Sequence, residues 1–335
     1  MRNGHGGNGH AGNGPGADPA GLGAGPAGHG GHRVIAGPGA TTAPDRILQR
    51  LDWQVIRRLD GVLQGDYRSL FHGAGVDLAA LREYQPGGDV RYIDWNVTAR
   101  MDVPYVREYH EDREITAWFL LDLSPSVDFG TVDAERVKRT VLIDFVATLA
   151  RLLTRRGNRV GAVLYGSKVE RTIPARGGRV QVLRMIQDLL EMPRLESAPF
   201  TDLGPLLETG SRMIKRRSLV VIVSDFISEP GWDRSLDLLN RHHEVLAVRL
   251  TDPRELALPD VGPIIMEDAE TGEQLYVDTH DARFRNRFEA AAQVREKAIS
   301  DSFRRAGVEA ATLSTDDDLV RAIIRMATLR HRRRR

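Results

Sequence analysis

Residues 115–126 of the 335-residue chain read ITAWFLLDLSPS, and this stretch decides the fold class. Its apolar part shows no alternation of polar and apolar side chains, which predicts a strand buried on both faces, as in a parallel sheet. The residues after such a strand emerge at the carboxyl edge of the sheet, where open α/β folds bind ligands. Here they are Asp122, Ser124 and Ser126, hard oxygen donors that suit Mg²⁺ or Mn²⁺. The alternative is a turn that caps the next helix, because Asp and Ser are common N-caps.

A second apolar run, residues 218–223 (SLVVIV), is followed by Ser224 and Asp225. It predicts another buried strand that brings Asp225 to the same edge of the sheet as Asp122. Between the two runs, Thr201 precedes a helical pattern that continues to residue 215. An ordinary turn residue at Asp225 and an N-cap at Thr201 are the alternatives.

The polar residues found so far resemble the metal-ion-dependent adhesion site of von Willebrand factor A domains. The resemblance rests on Asp122, Ser124, Ser126, Thr201 and Asp225. In that family the hydroxyls bind the cation directly, and the carboxylates often act through water. The resemblance covers roughly residues 113–330 and implies a doubly wound, mostly parallel, Rossmann-like α/β sheet. Pro125 and Val127 depart from the Gly and Met that are frequent in the family, but neither position supplies a ligand.

A stretch upstream of this region has a second resemblance. Residues 82–95 read REYQPGGDVRYIDW and are followed by Thr98-Ala99-Arg100. This is similar to the domain of unknown function 58 proteins, in which such a stretch precedes a von Willebrand A domain; Gly88 departs from a position that is commonly acidic. Proteins of this kind are commonly associated with MoxR-type AAA ATPases. The resemblance therefore implies a protein partner of that type and an adaptor or chaperone-like role.

The same stretch alternates basic with acidic and aromatic residues. Ion pairs within it would fix a small module onto the large domain, because guanidinium groups pair well with carboxylates. A direct partner-binding surface is the alternative. The residues concerned are Arg82, Tyr84, Asp89, Arg91, Asp94, Trp95 and Arg100.

Composition divides the chain into four parts. Residues 1–44 are rich in Gly, Ala, Pro and His, a composition that predicts disorder. Residues 45–112 comprise an amphipathic helix over 45–63 and a small polar β module, which together make a small mixed α+β unit. Residues 113–330 form the α/β domain. Residues 331–335 are a basic tail, which we interpret as a solvated chain end, although such a tail could also contact nucleic acid.

Within the large domain the pattern alternates between helices and strands. The expected helices cover residues 133–155, 178–190, 201–215, 232–240, 281–305 and 316–329. The expected strands after the first two cover residues 159–165, 168–173, 244–250 and 309–313. Residues 263–267 and 274–278 predict a hairpin insertion.

Net charge and cysteine content exclude several classes of partner and of functional site. The net charge is +1, which favours neither nucleic acid nor acidic substrates as partners. There is no cysteine, so disulfides, thiolate metal sites and cysteine nucleophiles are excluded. No apolar stretch approaches the ~20 residues that cross a bilayer. The start of the chain lacks the apolar core of a signal peptide, so we expect a cytoplasmic protein.

Two classes of function are compatible with these features. The first is a non-enzymatic adaptor that binds a protein partner through a divalent cation. The second is a Mg²⁺-dependent phosphotransferase or phosphatase of the haloacid-dehalogenase type, in which Asp122 would attack phosphate. That chemistry needs a general acid two residues later, where this chain has Ser124, and a hydroxyl is a poor general acid. We therefore expect the adaptor.

Overall fold

The computed structural model of the chain describes residues 42–62, 80–85, 93, 95–101, 103–108, 115–128, 137–194, 201–268 and 271–333. The predicted disordered tail lies outside these ranges, apart from its last three residues. Three members of the predicted charged network also lie outside them, namely Asp89, Arg91 and Asp94.

The first helix packs against the large domain. Helix α1 (Ala43–Leu51) continues through a π-helical turn (Asp52–Ile56) into α2 (Arg57–Val62). It begins two residues before the predicted start, because the Thr42 side chain accepts a hydrogen bond from the backbone N–H of Asp45 and a proline is favourable in the first turn. Its apolar face lies in the core of the central sheet and includes Leu48, Leu51, Val55, Ile56 and Leu59.

A small mixed α+β module follows in the chain. Strand β1 (Ala80–Glu83) pairs antiparallel with β2 (Tyr105–Glu108), and helix α3 (Trp95–Met101) lies between them in sequence. The backbone N–H of Tyr105 donates to Thr98 Oγ1 at 3.0 Å, which joins the helix to the second strand. The described part of the module therefore contains a helix, α3, that was not among the expected helices.

The remaining strands are β3 (Thr116–Asp122), β4 (Arg159–Tyr165), β5 (Val169–Arg176), β6 (Leu219–Ser224), β7 (Glu244–Thr251), β8 (Pro263–Glu267), β9 (Gln274–Asp278) and β10 (Ala310–Ser314). Strands β8 and β9 form the predicted hairpin. The other six form one sheet with the order β10-β7-β6-β3-β4-β5. All neighbours in this sheet are parallel except β4 and β5. This confirms the predicted α/β fold with a doubly wound, mostly parallel sheet.

The helices on the two faces of the sheet are α4 (Lys138–Thr154), α5 (Gly178–Glu191), α6 (Gly204–Met213), α7 (Trp232–His242), α8 (Ala282–Arg305) and α9 (Leu319–Arg333). Side chains of β3 alternate between two separate cores. Phe119 and Leu121 point to the face covered by α1, α4, α5 and α9, whereas Leu120 points to the face covered by α6, α7 and α8. Strand β3 is therefore buried on both faces, as its uninterrupted apolar run predicted.

Three element boundaries, the two ends of α9 and the end of β5, differ from the prediction. Helix α9 starts at Leu319, after the three aspartates, because Asp318 Oδ1 accepts a hydrogen bond from the backbone N–H of Arg321 and caps the helix from outside. The same helix runs to Arg333, so it includes three residues of the predicted basic tail. Strand β5 extends to Arg176, which pairs with Val160 of β4.

Across the described ranges, no helix is both long and apolar enough to cross a lipid bilayer.

Candidate functional site

The two predicted carboxylates lie at the switch point of the sheet. Strand β3 connects onward to β4 on one side, whereas β6 lies parallel on its other side, so the order in which strands are added to the sheet reverses between β3 and β6. Ligands of doubly wound folds bind at this place, beyond the carboxyl ends of the strands. Leu121 pairs with Val223 in the register, so Asp122 ends β3 beside Ser224, the last residue of β6. Asp225 follows immediately.

A hydrogen-bond network orients Asp122. The hydroxyl of Ser224 donates to Asp122 Oδ2 at 2.6 Å, and the backbone N–H of Ser124 donates to Asp122 Oδ1 at 3.0 Å. The Oγ atoms of Ser124 and Ser126 are 3.1 Å apart, and Ser126 also hydrogen-bonds to the carboxylate of Asp225. Four of the five predicted ligands are therefore joined in one network, and all four are buried.

The fifth predicted residue, Thr201, is buried in the segment that leads into α6. Its carbonyl oxygen accepts a hydrogen bond from the backbone N–H of Glu229 at 2.9 Å, and the hydroxyl of Ser228 accepts one from the backbone N–H of Leu203 at 3.0 Å. These bonds fasten the Thr201 segment to the loop that follows Asp225. Thr201 is not the N-cap of α6, since the capping position is Leu203.

The turn after Asp225 is strained and is held by aromatic packing. Phe226 has φ of 58°, in the left-handed region that costs a residue with a side chain about 1–3 kcal/mol. Its ring lies 5.3 Å from that of Trp232 and 4.7 Å from that of Phe303, measured between centroids. Its backbone N–H donates to the Ser224 hydroxyl at 2.8 Å, so the strained residue belongs to the same network as Asp122. The aromatic packing therefore supports the turn that follows Asp225.

Sequence reasoning missed a lysine at this site. Lys138, the first residue of α4, is fully buried, and its Nζ lies 2.9 Å from Asp225 Oδ2 and 2.6 Å from Glu255 Oε1. Glu255 lies in the short turn Pro253–Glu255 after β7. A signal for Lys138 was present, because it stands on the apolar face of α4, four and seven residues before the buried Leu142 and Phe145. Glu255 carried no comparable signal.

Burial raises the pKa of a carboxylate, whereas a nearby positive charge lowers it, and both effects act on the carboxylates of this site. Burial, and after it the nearby Asp225 carboxylate, raise the pKa of Asp122 to about 6. Burial would also raise the pKa of Asp225, but the adjacent Lys138 ammonium outweighs it and holds that pKa below the usual value. Burial raises the pKa of Glu255 even though Lys138 opposes this. Asp122 is thus the carboxylate whose negative charge the protein compensates least.

The donor chemistry fits a hard divalent cation. The five predicted ligands offer two carboxylates and three hydroxyls, with no nitrogen or sulfur donor. Three carboxylates (Asp122, Asp225, Glu255) and one ammonium (Lys138) sum to a formal charge of −2 when all are ionised, which one divalent cation would balance. Within the described residues there is no group of three or more His, Asp or Glu side chains arranged to hold a metal ion. A cation here would depend on the hydroxyls.

The described members of the predicted charged network lie in the small module. Arg82 lies in β1, and Tyr84 follows that strand with its backbone N–H donating to the Pro104 carbonyl at 2.7 Å. Trp95 begins α3 with 69% of its surface exposed, and Arg100 is exposed in the last turn of that helix. Both functions suggested for these residues, bracing the module and binding a partner, stay predictions.

Comparison with known proteins identifies the family. The family model described as "Protein of unknown function DUF58" matches residues 80–298, well over half of the chain. The chain belongs to the DUF58 family. Its relatives include the "Uncharacterized protein Rv1480" of Mycobacterium tuberculosis and the "Uncharacterized protein Mb1516" of Mycobacterium bovis. Each is 36% identical to the DUF58 chain over 285 residues, which is 85% of this chain and 89% of the relative.

Solved structures with a similar arrangement include BatB from Bacteroides thetaiotaomicron, described as a conserved hypothetical protein. It has a TM-score of 0.44 at 12% identity and covers 65% of the DUF58 chain and 99% of its own. Manganese-loaded TRAP protein from Plasmodium vivax has a TM-score of 0.30 at 17% identity, with coverages of 41% and 57%. These likenesses are too distant to carry an argument about function.

Proposed function

We propose that this DUF58 protein is a non-enzymatic, cytosolic adaptor that binds a protein partner through a divalent cation, Mg²⁺ or Mn²⁺. The observation that carries the proposal is the buried network at the switch point of the sheet, in which Asp122, Ser124, Ser126 and Asp225 are hydrogen-bonded to one another. These are four of the five residues that resemble the metal-ion-dependent adhesion site of von Willebrand A domains, and Thr201 lies in the segment fastened to their loop.

The protein ligands would leave one coordination position of the cation open, and a ligand from a partner would fill it. The three hydroxyl ligands are neutral and Asp225 already shares its charge with Lys138, so the cation would accept a further anionic oxygen ligand even though the cluster as a whole would be neutral. A carboxylate of a partner protein suits such a position, because hard cations prefer oxygen ligands. The partner that the family resemblance favours is a MoxR-type AAA ATPase, with the adaptor working in a chaperone-like or assembly role.

The phosphatase alternative is less compatible with the geometry. A phosphate-binding site needs cationic groups that face the substrate, whereas the Lys138 ammonium contacts two carboxylates in the interior. Ser124, at the position where the general acid would be required, donates its backbone N–H to Asp122 and exchanges a hydrogen bond with Ser126. Neither group is arranged for proton transfer to a leaving oxygen.

The test is a binding assay between the purified protein and the MoxR-type ATPase of the same cell. Asp122→Asn keeps the size of the side chain and removes its charge, and Asp237→Ala, on the exposed face of α7, is the matched control. We expect Mn²⁺ or Mg²⁺ to support binding, and we expect EDTA or Asp122→Asn to abolish it while Asp237→Ala has no effect. Binding that survives both treatments would contradict the proposal. Metal-dependent hydrolysis of p-nitrophenyl phosphate that is lost in Asp122→Asn would establish the phosphatase instead.

A further inference from the structure

The buried Lys138 has no role in the ligand set described above, and its position is unfavourable unless something compensates for it. It is the first residue of α4, where the partial positive charge of the helix amino terminus repels a cation. Its side chain has no exposed surface, so the ammonium has lost its hydration. Asp225 and Glu255 provide the compensation at 2.9 and 2.6 Å.

The contacts place this ammonium beside the cation site. Asp225 is common to both: Oδ2 accepts the hydrogen bond from Lys138, Oδ1 accepts one from the backbone N–H of Ile227, and Ser126 hydrogen-bonds to the same carboxylate. Lys138 and the hydroxyl of Ser126 therefore contact the same carboxylate. The Lys138 ammonium and a bound metal ion would therefore both interact with the Asp225 carboxylate.

Glu255, in the turn after β7, is the second carboxylate that contacts the Lys138 ammonium. Its turn is fixed by a capping box with Asp252, and its backbone carbonyl accepts a hydrogen bond from Arg295 of α8 at 2.8 Å. The Asp252 carboxylate in turn accepts a hydrogen bond from the Thr315 hydroxyl at 2.9 Å, at the turn after β10. Glu255 is thus rigidly mounted, so the Lys138–Glu255 pair has a fixed position relative to the site.

We infer that the Lys138 ammonium sets the affinity of the site for divalent metal ions. It competes with the metal ion for the negative charge of Asp225, and the Glu255 carboxylate weakens this competition by neutralising part of the ammonium charge. This rests on the proposed function, since it assumes a divalent cation at the same site. Removing the ammonium makes the formal charge of the cluster −3, and removing the Glu255 charge makes it −1, compared with −2 in the wild type. The two changes should therefore shift metal affinity in opposite directions.

The experiment titrates Mn²⁺ into the full-length wild type, Lys138→Met and Glu255→Gln, and measures the dissociation constant of each. Coulomb attraction at these short distances in a buried site predicts that Lys138→Met binds Mn²⁺ about tenfold more tightly, or better, and Glu255→Gln about tenfold more weakly. The thermal midpoint, recorded in EDTA and in excess Mn²⁺, supplies a second readout. Lys138→Met should be less stable than wild type in EDTA and should recover more on addition of Mn²⁺, because the metal replaces the lost charge.

The outcomes separate this inference from the proposed function. If the wild type binds Mn²⁺ and neither variant changes the affinity, or both weaken it alike, Lys138 is only structural and the inference is overturned while the metal site stands. If only Lys138→Met binds Mn²⁺, the proposed function is overturned, and with it the inference that Lys138 tunes a metal site of the wild type. If no protein binds Mn²⁺, both ideas are overturned. Glu255→Gln retains the Lys138–Asp225 pair, so it still tests the inference if Lys138→Met does not fold.

Discussion

At the residue scale, the hydroxyl of Ser224 connects the two halves of the candidate site. It donates to Asp122 Oδ2 at 2.6 Å and accepts from the backbone N–H of Phe226 at 2.8 Å. One side chain thereby orients a buried carboxylate and supports the strained turn that carries Asp225. The sequence placed a serine there but gave no reason to choose it, because a hydroxyl before an aspartate is equally typical of a simple turn.

We expect Ser224→Ala to lower the free energy of unfolding by about 1–3 kcal/mol, because it leaves one buried carboxylate oxygen and one buried N–H without this partner. Chemical denaturation measures the change. Ser218→Ala is the control: Ser218 immediately precedes the same strand, and its hydroxyl donates to the Arg216 carbonyl at 2.8 Å. Equal losses in the two variants would show that Ser224 has no special role.

At the element scale, α8 is tied to the site through Arg249 of β7. The guanidinium donates to the carboxylate of Glu296 on α8 at 2.5 Å and to the backbone carbonyl of Asp225 at 3.2 Å. Hydrogen bonding to Arg249 lowers the pKa of Glu296 below its usual value of 4.5. The Arg249 guanidinium therefore joins helix α8 to the loop that carries Asp225.

This link predicts a pH dependence of stability. Because the folded-state pKa of Glu296 is lowered, its contribution is complete above pH 4.5 and is lost as the pH falls through the folded-state value. Glu296→Gln should therefore lower the free energy of unfolding by about 1 kcal/mol at pH 7, the range for a partly exposed ion pair, and by much less at pH 3. Glu289→Gln, at an exposed position of the same helix, should show neither effect. A Glu296→Gln loss of the same size at both pH values would contradict this assignment.

At the scale of the whole molecule, the sequence predicted most of the architecture. The long apolar runs specified the strands buried on both faces, and their order along the chain specified a doubly wound sheet, so Asp122 and Asp225 could be expected at one edge. The ion pairs of Lys138 could not be predicted, since Asp225 and Glu255 are 87 and 117 residues distant in sequence and only the folded sheet brings them together. The depth of the site could not be predicted either: Asp122 is wholly buried.

The amino-terminal boundary gives a prediction at the same scale. Composition predicts that residues 1–44 contribute nothing to folding, but α1 and its Thr42 cap move that boundary, so deletion of residues 1–40 alone should leave the thermal midpoint unchanged. Deletion of residues 1–44 should lower the midpoint, because it also removes the Thr42 cap of α1, worth about 1 kcal/mol, and the buried Pro44. Calorimetric scans of both truncations measure the difference. A large drop on deleting only residues 1–40 would show that this segment stabilises the domain.

The central claim is that the buried network at the carboxyl edge of the sheet binds one divalent cation. Calorimetric titration of Mn²⁺ into the wild type and Asp122→Asn tests it most directly, with Asp237→Ala as a control for a change at an exposed aspartate. Asparagine is the appropriate replacement because Asp122 is fully buried and its Oδ1 accepts the Ser124 N–H. We predict one binding site in the wild type and in Asp237→Ala, and none in a folded Asp122→Asn. Equal Mn²⁺ affinity in the wild type and Asp122→Asn would contradict the claim.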